Sequence, residues 1–392
     1  MDLLYYDCIT AAGEGPKALM QALDSGVDCS RQVESNEWNQ PVASNGRVCF
    51  LPNTALKNRN YQKDIKLNIE KIWSRIHGDF SDSFKEQFKK SKALIILAST
   101  KGLVEDYIWN YKSNPNAARA AQNPYSEIVK YFKTTISQLT HPLDTLVVSN
   151  ACASSHVAIE MAKLSIDSGN YDYVIVLSVD LIGPFIYQGF QSLKVLSTTL
   201  CKPFAQDRDG LQLGEAIAIL LFSKKNKIQK TIRIHGVSSE TEGGSVTRPS
   251  VNGESLLRTM RSVMKSGSGK IPSFFVAHGT GTKFNDASEE LAIKNLNAEL
   301  NIKAPVVGIK WSVGHTLGAS GALDLITASE VLKNKKLFKI QNTKQIDRVF
   351  ETNFLIQQSK ISNLPEMKCA MISSLGFGGV HAALLIGAPE ND

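Results

Sequence analysis

The sequence predicts an α/β fold built on buried sheets, and three observations carry that expectation. Apolar runs of strand length alternate with stretches of helical periodicity. Three of those runs end in loops of Gly, Ser, Thr or His that lead directly into a helical pattern. With 392 residues, 43% apolar and 21% charged, the chain can bury one large core or two fused ones.

Taken in chain order, the first clear strand is 92–98, whose run Ala93-Leu94-Ile95-Ile96-Leu97-Ala98 has no polar face and suits a strand covered on both sides. The stretch 110–131 has no strand pattern and reads as a loop plus a helix, placed to line a pocket or to pack on a partner subunit. A strand over 144–149 then turns through Cys152 into a helix reaching about residue 168. Strands over 173–179 and 216–222 follow, and the lysine-containing stretch 224–230 reads as a seam. Beyond it come a strand at 231–237, then a strand at 273–277 with the loop 278–286 and a helix from 287 to about 300. The third unit is a strand at 305–310, a loop at 311–318 and a helix from 319 to about 333; strands at 368–373 and 382–386 close the pattern. The first and third strand-loop-helix units fall one in each half, so the chain divides into residues 1–230 and 231–392 as two related halves.

Composition removes several function classes. No apolar run approaches the roughly 18–20 residues that span a bilayer, and Met1-Asp2-Leu3-Leu4-Tyr5-Tyr6-Asp7 lacks the basic and apolar regions of a signal peptide, so a cytoplasmic protein is expected. The six cysteines, Cys8, Cys29, Cys49, Cys152, Cys201 and Cys369, form no C-x-x-C pair, which argues against zinc and thioredoxin-like sites and fits a reducing compartment. The net charge of +7 comes from dispersed Lys and Arg, with clusters in 85–92, 224–230 and 333–339. These read as solvated surface or as a docking face for an acidic partner. No zinc-finger or RNP motif points to nucleic acid.

Four pieces carry chemistry. Cys152, in Ser149-Asn150-Ala151-Cys152-Ala153-Ser154-Ser155-His156, stands where a strand meets a helix N-terminus; unpaired N–H donors and the helix dipole there favour a thiolate. His278 ends a strand in His278-Gly279-Thr280-Gly281-Thr282, a loop open to a polar ligand. His315 precedes a helix, which favours a neutral ring, and Lys310 just before it calls for a carboxylate partner, Glu289 or Asp286. Leu375-Gly376-Phe377-Gly378-Gly379 allows positive φ and an N–H pointing into a cavity, as an oxyanion hole requires. Each piece alone also reads as ordinary packing or a tight turn.

In this order the four pieces resemble the β-ketoacyl-[acyl-carrier-protein] synthases of the Cys-His-His elongating type, condensing enzymes of the thiolase superfamily. The likeness extends to Lys202-Pro203-Phe204, Asp207-Arg208-Asp209-Gly210 and Leu213-Gly214-Glu215-Ala216. It implies a thiolase-like fold of two pseudo-duplicated halves in five α-β-α-β-α layers. Residues 1–230 would carry the nucleophile, and 231–392 the histidines, Lys310 and the Phe377 turn. It implies that Cys152 takes an acyl group as a thioester, that the N–H groups of Cys152 and Phe377 hold the oxyanion, and that His278 and His315 stabilise the enolate of decarboxylating malonate. Lys310 and Glu289 would be a supporting ion pair, Thr280 and Thr282 would bond the pantetheine arm, and Phe377 would gate the acyl pocket. No metal or redox cofactor is implied, since phosphopantetheine arrives on the acyl carrier protein. A homodimer or a heterodimer with a chain-length-factor-like subunit is implied as well.

Near relatives separate on residues. Thiolases carry a second cysteine in the C-terminal glycine-rich loop, where this chain has Phe377, with Cys369 back in the strand. The Cys-His-Asn initiating synthases lack the second histidine loop, and the silent chain-length partners lose the cysteine. His381 stands where an asparagine is common, and the N-terminal half departs from the family around 46–92 and 110–131. Such divergence suits a specialised polyketide or polyene pathway. The alternatives are a Cys-His acyltransferase or hydrolase, and a partner subunit that has kept its cysteine.

Overall fold

The computed structural model describes residues 1–38, 42, 46–113, 123–136, 143–224, 231–267, 269–357 and 366–388. In chain order the first half holds strands β1 (Asp2–Thr10), β2 (Gly13–Glu14), β3 (Arg31–Gln32), β4 (Arg47–Cys49), β5 (Ala93–Ala98), β6 (Leu143–Val148), β7 (Tyr173–Asp180), β8 (Leu213–Gly214) and β9 (Ala216–Ser223). Its helices are α1 (Gly15–Ser25), α2 (Tyr61–Gly78), α3 (Asp82–Lys89), α4 (Val104–Ser113), α5 (Ser126–Ile136), α6 (Ser154–Asp167) and α7 (Pro184–Ser192). The second half adds β10 (Ile232–Thr241), β11 (Phe274–Val276), β12 (Val306–Val307), β13 (Cys369–Gly376) and β14 (Val380–Gly387). With them run α8 (Glu254–Ser266), α9 (Lys283–Glu299), α10 (Lys310–Val313) and α11 (Ser320–Asn334).

Two sets of five strands share one topology. The first runs β6-β5-β7-β9-β1 and the second β12-β11-β13-β14-β10. In each, the three outer strands are parallel and the two nearest the molecular centre join antiparallel. The sets meet where β1 pairs with β10 at Asp2↔Arg233 and Leu3↔Ile232. Two helices lie between them. The first, α6, contacts β5 and β7 on one side and β10 and β14 on the other; α11 contacts β13, β9, β1 and α6. Helices α2 and α5 cover the outer face of the first set, and α8 with α9 covers the second. The result is the five-layered thiolase-like arrangement.

Local sequence accounts for these roles. Strands β5, β7 and β9 are buried along their whole length, as their continuous apolar runs require. Helix α2 turns Ile65, Ile69, Ile72, Trp73 and Ile76 inward, and the Asn60 side chain caps it by accepting from the Lys63 N–H at 2.7 Å. Helix α11 is buried on every face from Ser320 to Ser329, which fits a helix sandwiched between two sheets. Its Gly321 lets α6 approach: a Cβ there would lie 2.2 Å from Nδ1 of His156.

Several expectations are corrected. Strand β1, for which the sequence carries no strand expectation, runs down the centre of the sheet although Asp2 and Asp7 interrupt its apolar pattern; Arg233 and Arg75 pair with those carboxylates and offset part of the cost of burying them, while burial still raises Asp7 above its ordinary range. The strand expected at 305–310 is only Val306–Val307, because the chain turns at Lys310 into α10. Helix α9 starts at Lys283, ahead of 287, and α6 starts at Ser154, so Cys152 precedes that helix. The stretch 110–131 is flanked by α4 and α5, while its residues 114–122 and the seam residues 225–230 lie outside the described residues.

Candidate active site

Cys152 sits on a tight elbow between β6 and α6. Ala151 has φ 47°, a left-handed conformation that non-glycine residues adopt only when the surroundings enforce it. Ser154 enforces it here, since its hydroxyl donates to the Ala151 carbonyl at 2.7 Å and accepts from the Asn150 N–H at 2.8 Å. The Phe377 backbone N–H is directed at the Cys152 sulfur. The Ser374 hydroxyl donates to the Cys152 carbonyl at 3.3 Å, so the glycine-rich turn and the elbow are tied together.

The thiolate expectation is corrected. Burial pushes the Cys152 thiol up to about 12, outweighing the Phe377 N–H and the Lys310 charge that act the other way. The Cys152 side chain is therefore held as a neutral thiol.

His278 is carried at the end of β11 and fixed from below. Glu289, on α9, accepts from the His278 N–H at 2.7 Å, the Gly279 N–H at 2.8 Å and the Ser373 hydroxyl at 2.6 Å. Asp286 accepts from the Phe204 N–H at 2.6 Å and the Gly281 N–H at 3.1 Å, and the Arg208 guanidinium lies 3.7 Å from it. Burial still raises Asp286 to about 7. The Asp207-Arg208-Asp209-Gly210 motif thus braces the histidine loop, and a side chain at Gly281 would approach the Gly210 carbonyl to 2.7 Å. Both ring nitrogens of His278 are buried without a hydrogen-bond partner among the described residues.

His315 lies in the loop between β12 and α11, the position in the second half that Cys152 occupies in the first. Its Nδ1 is 3.0 Å from the Ser320 hydroxyl, and its ring meets that of His278 edge to face at 5.1 Å between centroids. Burial, with the Lys310 charge second, holds both imidazoles well below their ordinary range, so both are neutral. The expected ion pair is corrected too: Lys310 Nζ pairs with Asp324 at 3.4 Å, both side chains buried, while Glu289 serves the backbone of the His278 loop. Glu289 still feels the Lys310 charge, which partly offsets the rise that burial imposes.

Cys152, His278, Thr280, His315, Gly376 and Phe377 line one narrow cleft, together with Phe190, Leu211, Thr247, Arg248, Pro249 and Asn285. Thr280 and Thr282 hydroxyls stand 2.9 Å apart, and Phe377 stacks on Phe190 at 5.7 Å. His381 is buried beneath the turn, 3.4 Å from Glu242. A cavity of about 1340 Å³ lies elsewhere, at the far ends of β11 and β13, and holds none of these residues.

Sequence reasoning missed three supports. Asp180, ending β7, accepts from the Thr100 N–H at 3.0 Å and the Gly318 N–H at 2.8 Å, and so clamps the His315 loop to the first half. Asp324 and Ser320 were also passed over. An acid inside the apolar run Ala322-Leu323-Asp324-Leu325-Ile326 of α11 was the available signal.

Family models for the N-terminal and C-terminal domains of β-ketoacyl synthase match residues 144–227 and 231–344, together about half of the chain. The chain belongs to the β-ketoacyl synthase family. It is 29% identical over 248 residues to 3-oxoacyl-[acyl-carrier-protein] synthase 2 of Staphylococcus aureus, covering 60% of this chain and 61% of that protein. It is also 29% identical over 299 residues to the non-reducing polyketide synthase Preu3 of Preussia isomera, covering 71% of this chain but 12% of that protein. The chain thus spans less than two thirds of these curated relatives. A β-ketoacyl synthase from Burkholderia phymatum superimposes with TM-score 0.81 at 19% identity, over 99% of both chains. A chain of a ketosynthase–chain length factor complex from Xenorhabdus doucetiae does so with TM-score 0.79 at 22% identity, over 99% of this chain and 97% of that one. This β-ketoacyl synthase family member therefore shares their fold, and no described helix is long and apolar enough to cross a membrane.

Proposed function

We propose that this chain catalyses a decarboxylative Claisen condensation, joining an acyl group held on Cys152 to malonyl-[acyl-carrier protein] and releasing a β-ketoacyl carrier protein and carbon dioxide. The convergence of one thiol and two neutral imidazoles in a single cleft carries the reading. Cys152 takes the acyl group by thioester exchange, with the N–H groups of Cys152 and Phe377 facing the oxyanion. As the carbon–carboxylate bond of malonate breaks, its electron pair moves onto the thioester oxygen. Hydrogen bonds from His278 and His315 hold that charge, and the buried His278 ring, whose nitrogens have no partner among the described residues, suits that role with no need for a metal or redox cofactor. The enolate carbon then attacks the Cys152 thioester and the sulfur leaves.

In this reading Lys310 and Glu289 support the histidines, Thr280 and Thr282 bond the pantetheine arm, and Phe377 gates the acyl pocket. The phosphopantetheine comes with the carrier protein. A second subunit of the same fold would pair along β6, the end strand of its sheet, where Leu146 is 40% and Val147 37% exposed. The repeated five-strand topology supports residues 1–230 and 231–392 as the two halves. A polyketide or polyene pathway fits the divergent N-terminal half.

The test is carbon dioxide release from malonyl carrier protein. Cys152→Ala should abolish condensation and retain decarboxylation, whereas His278→Ala and His315→Ala should lose it. Normal release by both histidine variants would sink the assignment, and no release by the parent chain would favour a plain acyltransferase.

A further inference from the structure

Arg248 is a cation at the cleft that no carboxylate answers among the described residues. It lines the same cleft as Cys152 and His278, yet it is exposed, so it stands at the rim. Its guanidinium lies over the Phe284 ring at 4.8 Å. No hydrogen bond or ion pair engages it among the described residues, whereas Arg258 in the following helix is 3.3 Å from Glu240. The acid of its own loop, Glu242, is turned away toward His381 at 3.4 Å and accepts from the Ser250 N–H at 2.7 Å.

The loop that carries Arg248 is held in place. The Gly378 N–H donates to the Val246 carbonyl at 2.7 Å, and the Glu242 N–H to the Gly379 carbonyl at 2.8 Å. Arg248 is therefore strapped to the Phe377 turn that faces the nucleophile. Lys283, beside Phe284, adds a second exposed cation at this edge. The deep end of the cleft is different in kind, because buried imidazoles there stay neutral and the Lys310 charge is answered by Asp324.

We propose that Arg248 binds the phosphate of the phosphopantetheine arm at the rim while the thioester reaches Cys152 and the histidines. This rests on the condensation proposed above. A substrate with an uncharged thioester at one end and a phosphodiester at the other matches a neutral floor and a cationic rim. A planar guanidinium offers a phosphate two parallel N–H donors, and the Phe284 face fixes its plane.

The test compares malonyl-phosphopantetheine with malonyl-pantetheine, which differ only in the phosphate. Arg248→Ala should raise KM for the phosphorylated thioester about tenfold with kcat unchanged, and Arg248→Lys should recover part of the loss. KM for malonyl-pantetheine should not move. Equal losses on both thioesters would assign Arg248 to the malonyl carboxylate, and a loss seen only with the protein-borne substrate would assign it to the carrier surface. Either result overturns the proposal. Protection of Cys152 from iodoacetamide by phosphopantetheine but not by pantetheine, abolished in Arg248→Ala, reads the same contact without turnover, and equal or absent protection by both overturns it. If the parent chain releases no carbon dioxide from either thioester, the condensation fails while the protection assay still reports on Arg248.

Discussion

The thiol of Cys152 and the rings of His278 and His315 are all held neutral by burial, and that shapes their chemistry. A thiol raised to about 12 exposes a thiolate fraction that grows tenfold per pH unit throughout the neutral range. Alkylation of Cys152 by iodoacetamide should therefore rise steadily from pH 7 to about pH 10; a plateau near pH 8 would show that the helix end wins over burial. Lys310 acts against that rise, so Lys310→Ala should slow alkylation further. The Ser320 hydroxyl, 3.0 Å from His315 Nδ1, is placed to hydrogen-bond that nitrogen in either tautomer. If the hydroxyl donates, Nε2–H is free to face the enolate oxygen. Ser320→Ala should cut decarboxylation several-fold, about 1 kcal/mol, with the melting temperature near that of the parent; unchanged turnover would rule the serine out as a positioning group.

At the scale of elements, the site depends on how α11 sits against α6 and β7. Lys310 and Asp324 form a buried pair that joins α10 to α11, and removing one partner strands the other charge. Asp324→Ala should cost about 3 kcal/mol, read as a lower denaturant midpoint; a loss below about 0.5 kcal/mol would mean Lys310 is neutralised elsewhere. Gly321 allows the closest approach in that layer. Gly321→Ala drives a Cβ into the His156 ring and should destabilise by about 1–3 kcal/mol, an effect that His156→Ala should relieve in the double variant.

At the scale of the whole molecule, the repeated topology puts Cys152 and His315 at equivalent strand-to-helix loops of the two halves, just ahead of the two central helices, where both line one cleft. Asp180 locks that arrangement by holding Gly318 from the first half. The open edge at β6 belongs to the same scale. Val147→Lys should shift a dimer toward monomer in sedimentation, since it puts a charge on an exposed apolar edge; a monomeric parent chain would count against pairing there, and an unlike partner would appear as a complex only on co-expression.

Much of this was legible along the chain, because the relevant signals are local. The apolar runs of β5, β7 and β9 and the glycine-rich loops around Cys152, His278, His315 and Phe377 lie within short stretches of sequence. They determined the α/β class, the candidate nucleophile and the two histidines. Three matters were decided only by tertiary structure. The central place of β1 depends on Arg75 and Arg233, far away in sequence, neutralising its acids. The partner of Lys310 is Asp324 because the tertiary fold brings the first residue of α10 within 3.4 Å of that side chain on α11, while the carboxylate of Glu289 accepts from backbone N–H groups. The protonation of Cys152 does not follow from the helix end alone, since desolvation depends on every element packed around the sulfur, and in this fold it outweighs the groups that favour the thiolate.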